Sequence, residues 1–279
     1  MPTTADLHFY ETNGYLLVKG LFSAEEAAQY REHYTALREA GSCPLDDVKP
    51  DMTSADPLRR YPRMMQMHRW DETSLRWLTE PRLNTVLTAL LGREPYAVQT
   101  MLYFKPPQAR GQALHQDNFY LRAQPGSCIA AWMALETVDE ANGCLQVVPG
   151  SHTWEILCTE QADMTTSFSE HTVPLPAGAE PRSVLMDPGD VLFFHGALVH
   201  GSPPNTTTDR FRRSLIGHYV EGQAEQVGQW YHPVLRMDGS AIDLAFSPNS
   251  SQCGVWVESP SGAPAITLVA TDADRKAHE

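Results

Sequence analysis

Apolar and polar residues alternate with two different periods along this chain, and the change of period divides it. At the front, Gly14-Tyr-Leu-Leu-Val-Lys19 is a short β-prone run. Phe22-Ser23-Ala24-Glu25-Glu26 then opens a helix, with Ser23 and Glu26 at the spacing where each side chain reaches the other's backbone N–H. Ala27, Tyr30, Tyr34 and Leu37 recur at helical period and predict one buried stripe, with Gly41 as the stop. Residues 42–62 carry Pro and Asp without periodicity and read as a surface loop. A second helix is predicted after Thr79-Glu80-Pro81, because a first-turn proline gives up no helical hydrogen bond. Its Leu83, Val86, Leu87, Leu90 and Leu91 share one side, and Gly92 stands at the C-terminal cap.

From about residue 96 the elements become short and β-prone: 97–104, 128–135, 144–148, 183–186, 191–194 and 214–220. Asn142-Gly143 and Asp187-Pro-Gly-Asp190 separate them as turns, glycine supplying positive φ and proline a preset one. Many short strands at this spacing predict a sandwich, jelly roll or barrel, mainly β with flanking helices packed on one outer face. Residues 153–182 break the β pattern with a polar stretch that reads equally as an active-site lid or a variable surface loop. With no repeat and no linker, residues 1–279 are read as one domain. It has a helical front (1–95), a β core (about 96–221) and an extension (222–279) ending in a frayed tail over 271–279.

Charge and composition narrow the partners. The net charge is 21 − 34 = −13 without a long basic run, which argues against nucleic acid and anionic membrane surfaces. A small-molecule partner is expected instead, and an acidic one stays open because a local arginine cluster can overrule the global charge. The five cysteines, Cys43, Cys128, Cys144, Cys158 and Cys253, contain no CxxC pair and read as reduced structural thiols. The N-terminus lacks the basic and apolar regions of a signal peptide, and no run approaches the ~18 apolar residues of a membrane span. A cytoplasmic protein is the resulting expectation.

The candidate chemistry begins at His115-Gln116-Asp117. On a strand, side chains two apart face the same way, so His115 and Asp117 can hold one ion while Gln116 turns aside. His195 and His200 are the candidates for a third ligand; five residues apart, they face opposite sides of a regular strand. His200 is chosen because it adjoins Gly201-Ser202 and a turn, where a barrel opens; His195 is assigned a hydrogen-bonded place near the core. The HxD spacing alone is weak, since it arises by chance in many chains. Two imidazoles and one carboxylate that leave positions open favour non-haem Fe(II). Zinc on the same set would imply hydrolysis, but no HExxH motif supports it. Downstream, Arg210, Arg212 and Arg213 offer a guanidinium that can grip a dicarboxylate through paired charge-assisted bonds.

At this point the chain resembles the phytanoyl-CoA dioxygenase family of Fe(II)/2-oxoglutarate-dependent oxygenases. The matching text includes Thr100-Met-Leu-Tyr-Phe-Lys-Pro-Pro107, Leu114-His-Gln-Asp117, Ala131-Trp132, Glu140-Ala-Asn-Gly-Cys-Leu145, Val148-Pro-Gly-Ser-His152, Pro188-Gly-Asp190, His200-Gly-Ser202 and Phe211-Arg212. The resemblance implies a double-stranded β-helix, a cupin-like jelly roll, with Fe(II), 2-oxoglutarate and O2 as its cofactors. It implies His115, Asp117 and His200 as iron ligands, Arg212 and Ser202 as partners of the distal 2-oxoglutarate carboxylate, and Met101 and Trp132 as lining. The spacing 212 − 200 = 12 is one longer than in relatives, which leaves Arg213 open as the anchor beside Arg212. Relatives acting on acyl-CoA carry a lysine near the position of Met64; its absence points away from phytanoyl-CoA. Halogenating members replace the carboxylate with a small residue, so Asp117 points to hydroxylation, desaturation or ring closure. A catalytically silent jelly roll is the competing class, and retention of the whole ligand set speaks against it. Around the site, Gln99 and Gln146 read equally as lining or as solvent-facing, and Trp230-Tyr-His232 as rim or core. The inward or outward direction of Asn118, Phe119 and Tyr120 stays open.

Overall fold

In the computed structural model, which describes residues 1–41, 43–248 and 252–270, period-two patterning sorts each long strand between two faces. In the strand Cys128–Ala134 every residue is buried, because both faces are covered. Ile129, Ala131 and Met133 join an outer core with the front helices, while Ala130, Trp132 and Ala134 join an inner core between two sheets.

The principal strands are β1 (Tyr15–Val18), β2 (Tyr96–Tyr103), β3 (Gln112–His115), β4 (Cys128–Ala134), β5 (Leu145–Val147), β6 (Arg182–Val184), β7 (Val191–His195), β8 (His200–Ser202) and β9 (Ser214–Val220). The larger sheet runs β1-β7-β4-β9-β2 and the smaller β3-β8-β5-β6, with all these pairings antiparallel. Counting from β2 as the first of eight, the sheets read 2-9-4-7 and 3-8-5-6 in these labels. Successive strands therefore largely alternate between sheets, as in a double-stranded β-helix. The fold expectation holds.

The helix opened by Ser23 spans Ala24–Glu39. Ser23 Oγ accepts from the Glu26 N–H at 3.1 Å, and the Glu26 carboxylate accepts from the Ser23 N–H at 2.8 Å. The predicted second helix is Pro81–Leu91, closed by Gly92 in the left-handed region at φ 72°. Both lie against the outer face of the larger sheet, contributing Ala27, Tyr34, Leu83, Val86 and Leu87 to the outer core. Besides the single turns Pro57–Arg60 and Asn118–Leu121, two longer helices among the described residues escaped the periodicity reading. Thr4–Asn13 buries only Tyr10, so its signal lies in the reciprocal Thr3–Asp6 cap and not in a stripe. Glu72–Leu78 is seven residues long and starts from Asp71, which accepts from the Ser74 N–H.

The residues after β9 extend the structure further than their sequence promised. Val234–Leu235 and Ala241–Ile242 add to the edge of the larger sheet, and Gln252–Glu258 pairs with Pro264–Ala270 as a hairpin. That hairpin corrects the reading of the cysteines. Cys158 and Cys253 form a disulfide across 95 residues, whereas Cys43, Cys128 and Cys144 are free. Reciprocal bonds set the pair side by side: Cys158 N–H to Gly254 O at 2.9 Å and Gly254 N–H to Ile156 O at 2.8 Å. Spacing along the chain carries no trace of this tertiary neighbour. The expected tail over 271–279 lies outside the described residues.

Candidate active site

His115 and His200 are Cα partners across β3 and β8, which places their rings 4.2 Å apart between centroids. Asp117 reaches them by a different route from the one the strand rule gave. β3 ends at His115, and Asp117 has helical angles (φ −63°, ψ −36°) leading into the single turn Asn118–Leu121. The pair is the expected one, but a bend after the strand brings it together. Gln116 turns away as expected, its amide donating to Ala197 O at 2.9 Å and accepting from the Leu157 N–H at 2.8 Å. The same bend removes the strand on which the directions of Asn118, Phe119 and Tyr120 depended.

His115, Asp117 and His200 offer three ligand atoms within 4.8 Å of one another, all close to fully buried. Asp117 Oδ1 lies 3.6 Å from His115 Nε2 and 3.7 Å from His200 Nε2. Ligand atoms ~2.0–2.2 Å from one ion can be at most about 4.4 Å apart, so the spacing suits a shared metal. The tautomers suit it too. His115 Nδ1 faces Ala113 O and His200 Nδ1 faces Leu198 O, each at 2.9 Å. A carbonyl only accepts, so each Nδ1 carries the proton and each Nε2 keeps its lone pair on the side of Asp117. The Gln112 amide, 3.2 Å from His115 Nε2, donates to that lone pair. Burial pushes the Asp117 carboxyl up, but His200, His218 and His115 around it outweigh burial and hold it well below the usual carboxylate range. It is ionised at neutral pH, ready to ligate a cation.

His218 is the residue that sequence reading missed. Its Nε2 lies 3.1 Å from Asp117 Oδ2, the oxygen facing away from the other two histidines. Parity held the signal: Ser214, Ile216 and His218 alternate along β9 on the inner face that also carries Trp132 and Met101. His195 does not join the cluster. It ends β7 in the other sheet, accepts from the Ala197 N–H at 3.1 Å and packs against His152, and burial followed by His152 lowers it to about 4.

The arginines separate cleanly. Arg212 is 4% exposed, with its guanidinium 5.1 Å from the Trp132 ring centre. It gives Nε to Gly143 O at 3.2 Å and one Nη1 proton to Ser214 Oγ at 3.0 Å; its other donors have no partner among the described residues. Burial lowers it to about 10. Arg213 spends itself on Glu136 at 3.0 Å and Arg210 on Asp139 at 2.7 Å. Trp132 and Met101 lie in the inner core with Phe194, whose ring is 4.5 Å from that of His200. Ser202 accepts from Lys105 Nζ at 2.9 Å; Lys105, a buried cation in the Lys-Pro-Pro segment, had passed unremarked. Gln99 is buried, Gln146 borders a cavity of about 280 Å³, Trp230 is exposed and Tyr231 is buried.

The phytanoyl-CoA dioxygenase (PhyH) family model matches residues 10–214, nearly the whole front and the β core up to the start of β9. The chain belongs to the phytanoyl-CoA dioxygenase family. It is 29% identical over 232 residues to the peroxisomal phytanoyl-CoA dioxygenase of Rattus norvegicus, covering 78% of this chain and 68% of that one. Its fold is shared with SnoN, a non-heme alpha-ketoglutarate-dependent epimerase from nogalamycin biosynthesis (TM-score 0.61, 22% identity, 79% of this chain and 81% of that one). SnoN is also known in complex with Fe3+, alpha-ketoglutarate and nogalamycin RO. EctD from S. alaskensis, solved with 2-oxoglutarate and 5-hydroxyectoine, is alike to the same degree (TM-score 0.62, 22% identity, 78% and 76%). Among the described residues no helix is long and apolar enough to cross a membrane.

Proposed function

We propose that this protein is an Fe(II)- and 2-oxoglutarate-dependent dioxygenase that hydroxylates a C–H bond of a small organic metabolite, with release of succinate and CO2. One observation carries the reading. The His115–Asp117–His200 cluster shares its barrel interior with a buried arginine whose fork retains donors with no partner among the described residues. In this reading His115, Asp117 and His200 hold the ferrous ion, Arg212 and Ser202 hold the distal carboxylate of 2-oxoglutarate, and Trp132 and Met101 line its seat. The bound iron and cosubstrate supply oxidising power toward C–H bonds that no side chain possesses. The protein's share is geometry. The two Nδ1–H···O=C bonds fix the imidazoles, His218 turns the carboxylate, and the apolar inner core excludes water.

The substrate side has its own lining. The Tyr120 ring lies tilted 6.4 Å from that of His115, and Tyr103 sits 6.2 Å from Phe168 of the 153–182 segment. Arg63 touches the Tyr103 hydroxyl at 3.5 Å and has no carboxylate within ion-pair distance among the described residues. Such a cation suits an acidic group on the substrate. Phytanoyl-CoA is not the substrate we favour, since Met64 is fully buried in the outer core and presents no cation there. The fold also serves SnoK, a non-heme alpha-ketoglutarate-dependent carbocyclase from nogalamycin biosynthesis, so ring closure or desaturation is the reading to set against hydroxylation. The test is a screen of small metabolites, weighted toward carboxylates, with Fe(II), 2-oxoglutarate and O2. A hit produces succinate in step with a product 16 mass units heavier. Absence of 2-oxoglutarate turnover under all conditions contradicts the proposal, and a product two mass units lighter moves the reaction to desaturation or ring closure.

A further inference from the structure

Lys105 is 4% exposed and has no carboxylate within ion-pair distance among the described residues. An ammonium has three N–H donors and no acceptor. When Lys105 is protonated all three are committed: to Gly143 O at 3.1 Å, to Ser202 Oγ at 2.9 Å, and to Pro203 O. The Gly143 carbonyl also accepts from Arg212 Nε, so it lies between the two cations. A side chain at Gly143 would collide with this arrangement, its Cβ standing 2.6 Å from Lys105 Nζ. The backbone of Lys105 is itself in the left-handed region at φ 36°, a costly state for a residue with a side chain. It is held there by two bonds to its carbonyl, from the Arg212 N–H and from Asn205 Nδ2, each at 3.1 Å. Lys105 thus ties the backbone of Arg212 with one end and the hydroxyl of Ser202 with the other.

We infer that Lys105 is a positioning residue for the cosubstrate: by donating to Ser202 Oγ it turns the Ser202 hydroxyl into an obligate outward donor to the distal carboxylate of 2-oxoglutarate. A hydroxyl has one proton and can both give and accept. With Lys105 on its lone pair, the proton of Ser202 has no acceptor among the described residues and is kept for the ligand. Arg212, and Lys105 when protonated, have no anionic partner among the described residues and favour a ligand end that carries full negative charge. Burial, and then Arg212, push the Lys105 ammonium well down, as uncompensated charge demands. The inference rests on the function proposed above.

The test is calorimetric binding of 2-oxoglutarate and of 2-oxobutyrate, which lacks the distal carboxylate, to the Mn(II)-loaded protein. Hydrogen bonds to charged groups set the scale: Ser202→Ala and Lys105→Met should each weaken 2-oxoglutarate about tenfold or more. Each should leave 2-oxobutyrate within about twofold. The double variant should lose little beyond either single one, because Lys105 acts through Ser202. Multiplying losses, or equal weakening of 2-oxobutyrate, overturns the inference. Should Lys105→Met fail to fold, Ser202→Ala decides alone, and a change under about twofold refutes the assignment. A wild-type protein that binds Mn(II) but no 2-oxoglutarate removes the functional reading and this one together, whereas normal wild-type binding with indifferent variants removes only this one.

Discussion

His218 makes the sharpest mutational prediction, because it touches the cluster without belonging to it. Its Nε2 donates to Asp117 Oδ2 at 3.1 Å and leaves Oδ1 toward His115 and His200. His218→Leu keeps the volume of the buried side chain and deletes the donor. A hydrogen bond to a charged group contributes about 1.5–3 kcal/mol. Losing a residue that orients a metal ligand costs about 10–100-fold in metal affinity, or about 1.4–2.7 kcal/mol. The two routes agree, so the dissociation constant for Fe(II) or Mn(II), measured anaerobically by titration, should rise by that factor. Folding stability should change less. His218 Nδ1 is buried without a partner, and the substitution removes that unpaired group along with the bond. His218→Gln, which returns an amide donor, should recover part of the affinity. Metal binding by His218→Leu within twofold of wild type would refute this account of how the carboxylate is turned.

Arg212→Lys should raise the concentration of 2-oxoglutarate needed for half-saturation by about tenfold or more, as a point charge replaces the planar fork. Arg213→Lys should leave it within about twofold, because Arg213 is spent on Glu136; steady-state kinetics separates the two, and the reverse order would make Arg213 the anchor. Reduction of Cys158–Cys253, or Cys158→Ser, should lower unfolding stability by about 2–4 kcal/mol, read by urea titration, since the bond closes a 95-residue loop. Acid should destabilise the fold above the range where carboxylates titrate. Burial, and then Arg69, lower His68 to about 4 from 6.5. The unfolded chain therefore takes up the proton first as pH falls below 6.5, and stability is lost progressively toward pH 4. Linkage gives about 2 kcal/mol between pH 7 and 5 for His68, with His195 acting in the same direction. A flat urea midpoint across that interval, or an unchanged slope in His68→Asn, contradicts it.

Much of this architecture was legible because burial on two faces leaves long apolar runs. The predicted span 214–220 coincides with β9, the run at 97–104 is displaced from β2 by one residue at both ends, and that at 128–135 overruns β4 by one. Capping chemistry located the helices at Ser23 and Pro81 for the same local reason. Long-range proximity was not legible. Cys158 and Cys253 meet only through the terminal hairpin, and Lys105 reaches Ser202 across 97 positions. The site itself was half visible. The His-Gln-Asp spacing pointed to the pair that the structure brings together with His200, although a bend beyond β3 unites them. His218 stood in plain alternation with Ser214 and Ile216, but a single histidine on an inner face carries no metal signature until Asp117 is seen beside it.

The central claim is that His115, Asp117 and His200 share one ferrous ion to which 2-oxoglutarate is added. Anaerobic addition of Fe(II) and then 2-oxoglutarate should produce a weak visible metal-to-ligand charge-transfer band in the wild-type protein. Asp117→Ala should abolish it while leaving the protein folded. A band of undiminished intensity in Asp117→Ala, or none in the wild type, would contradict the account.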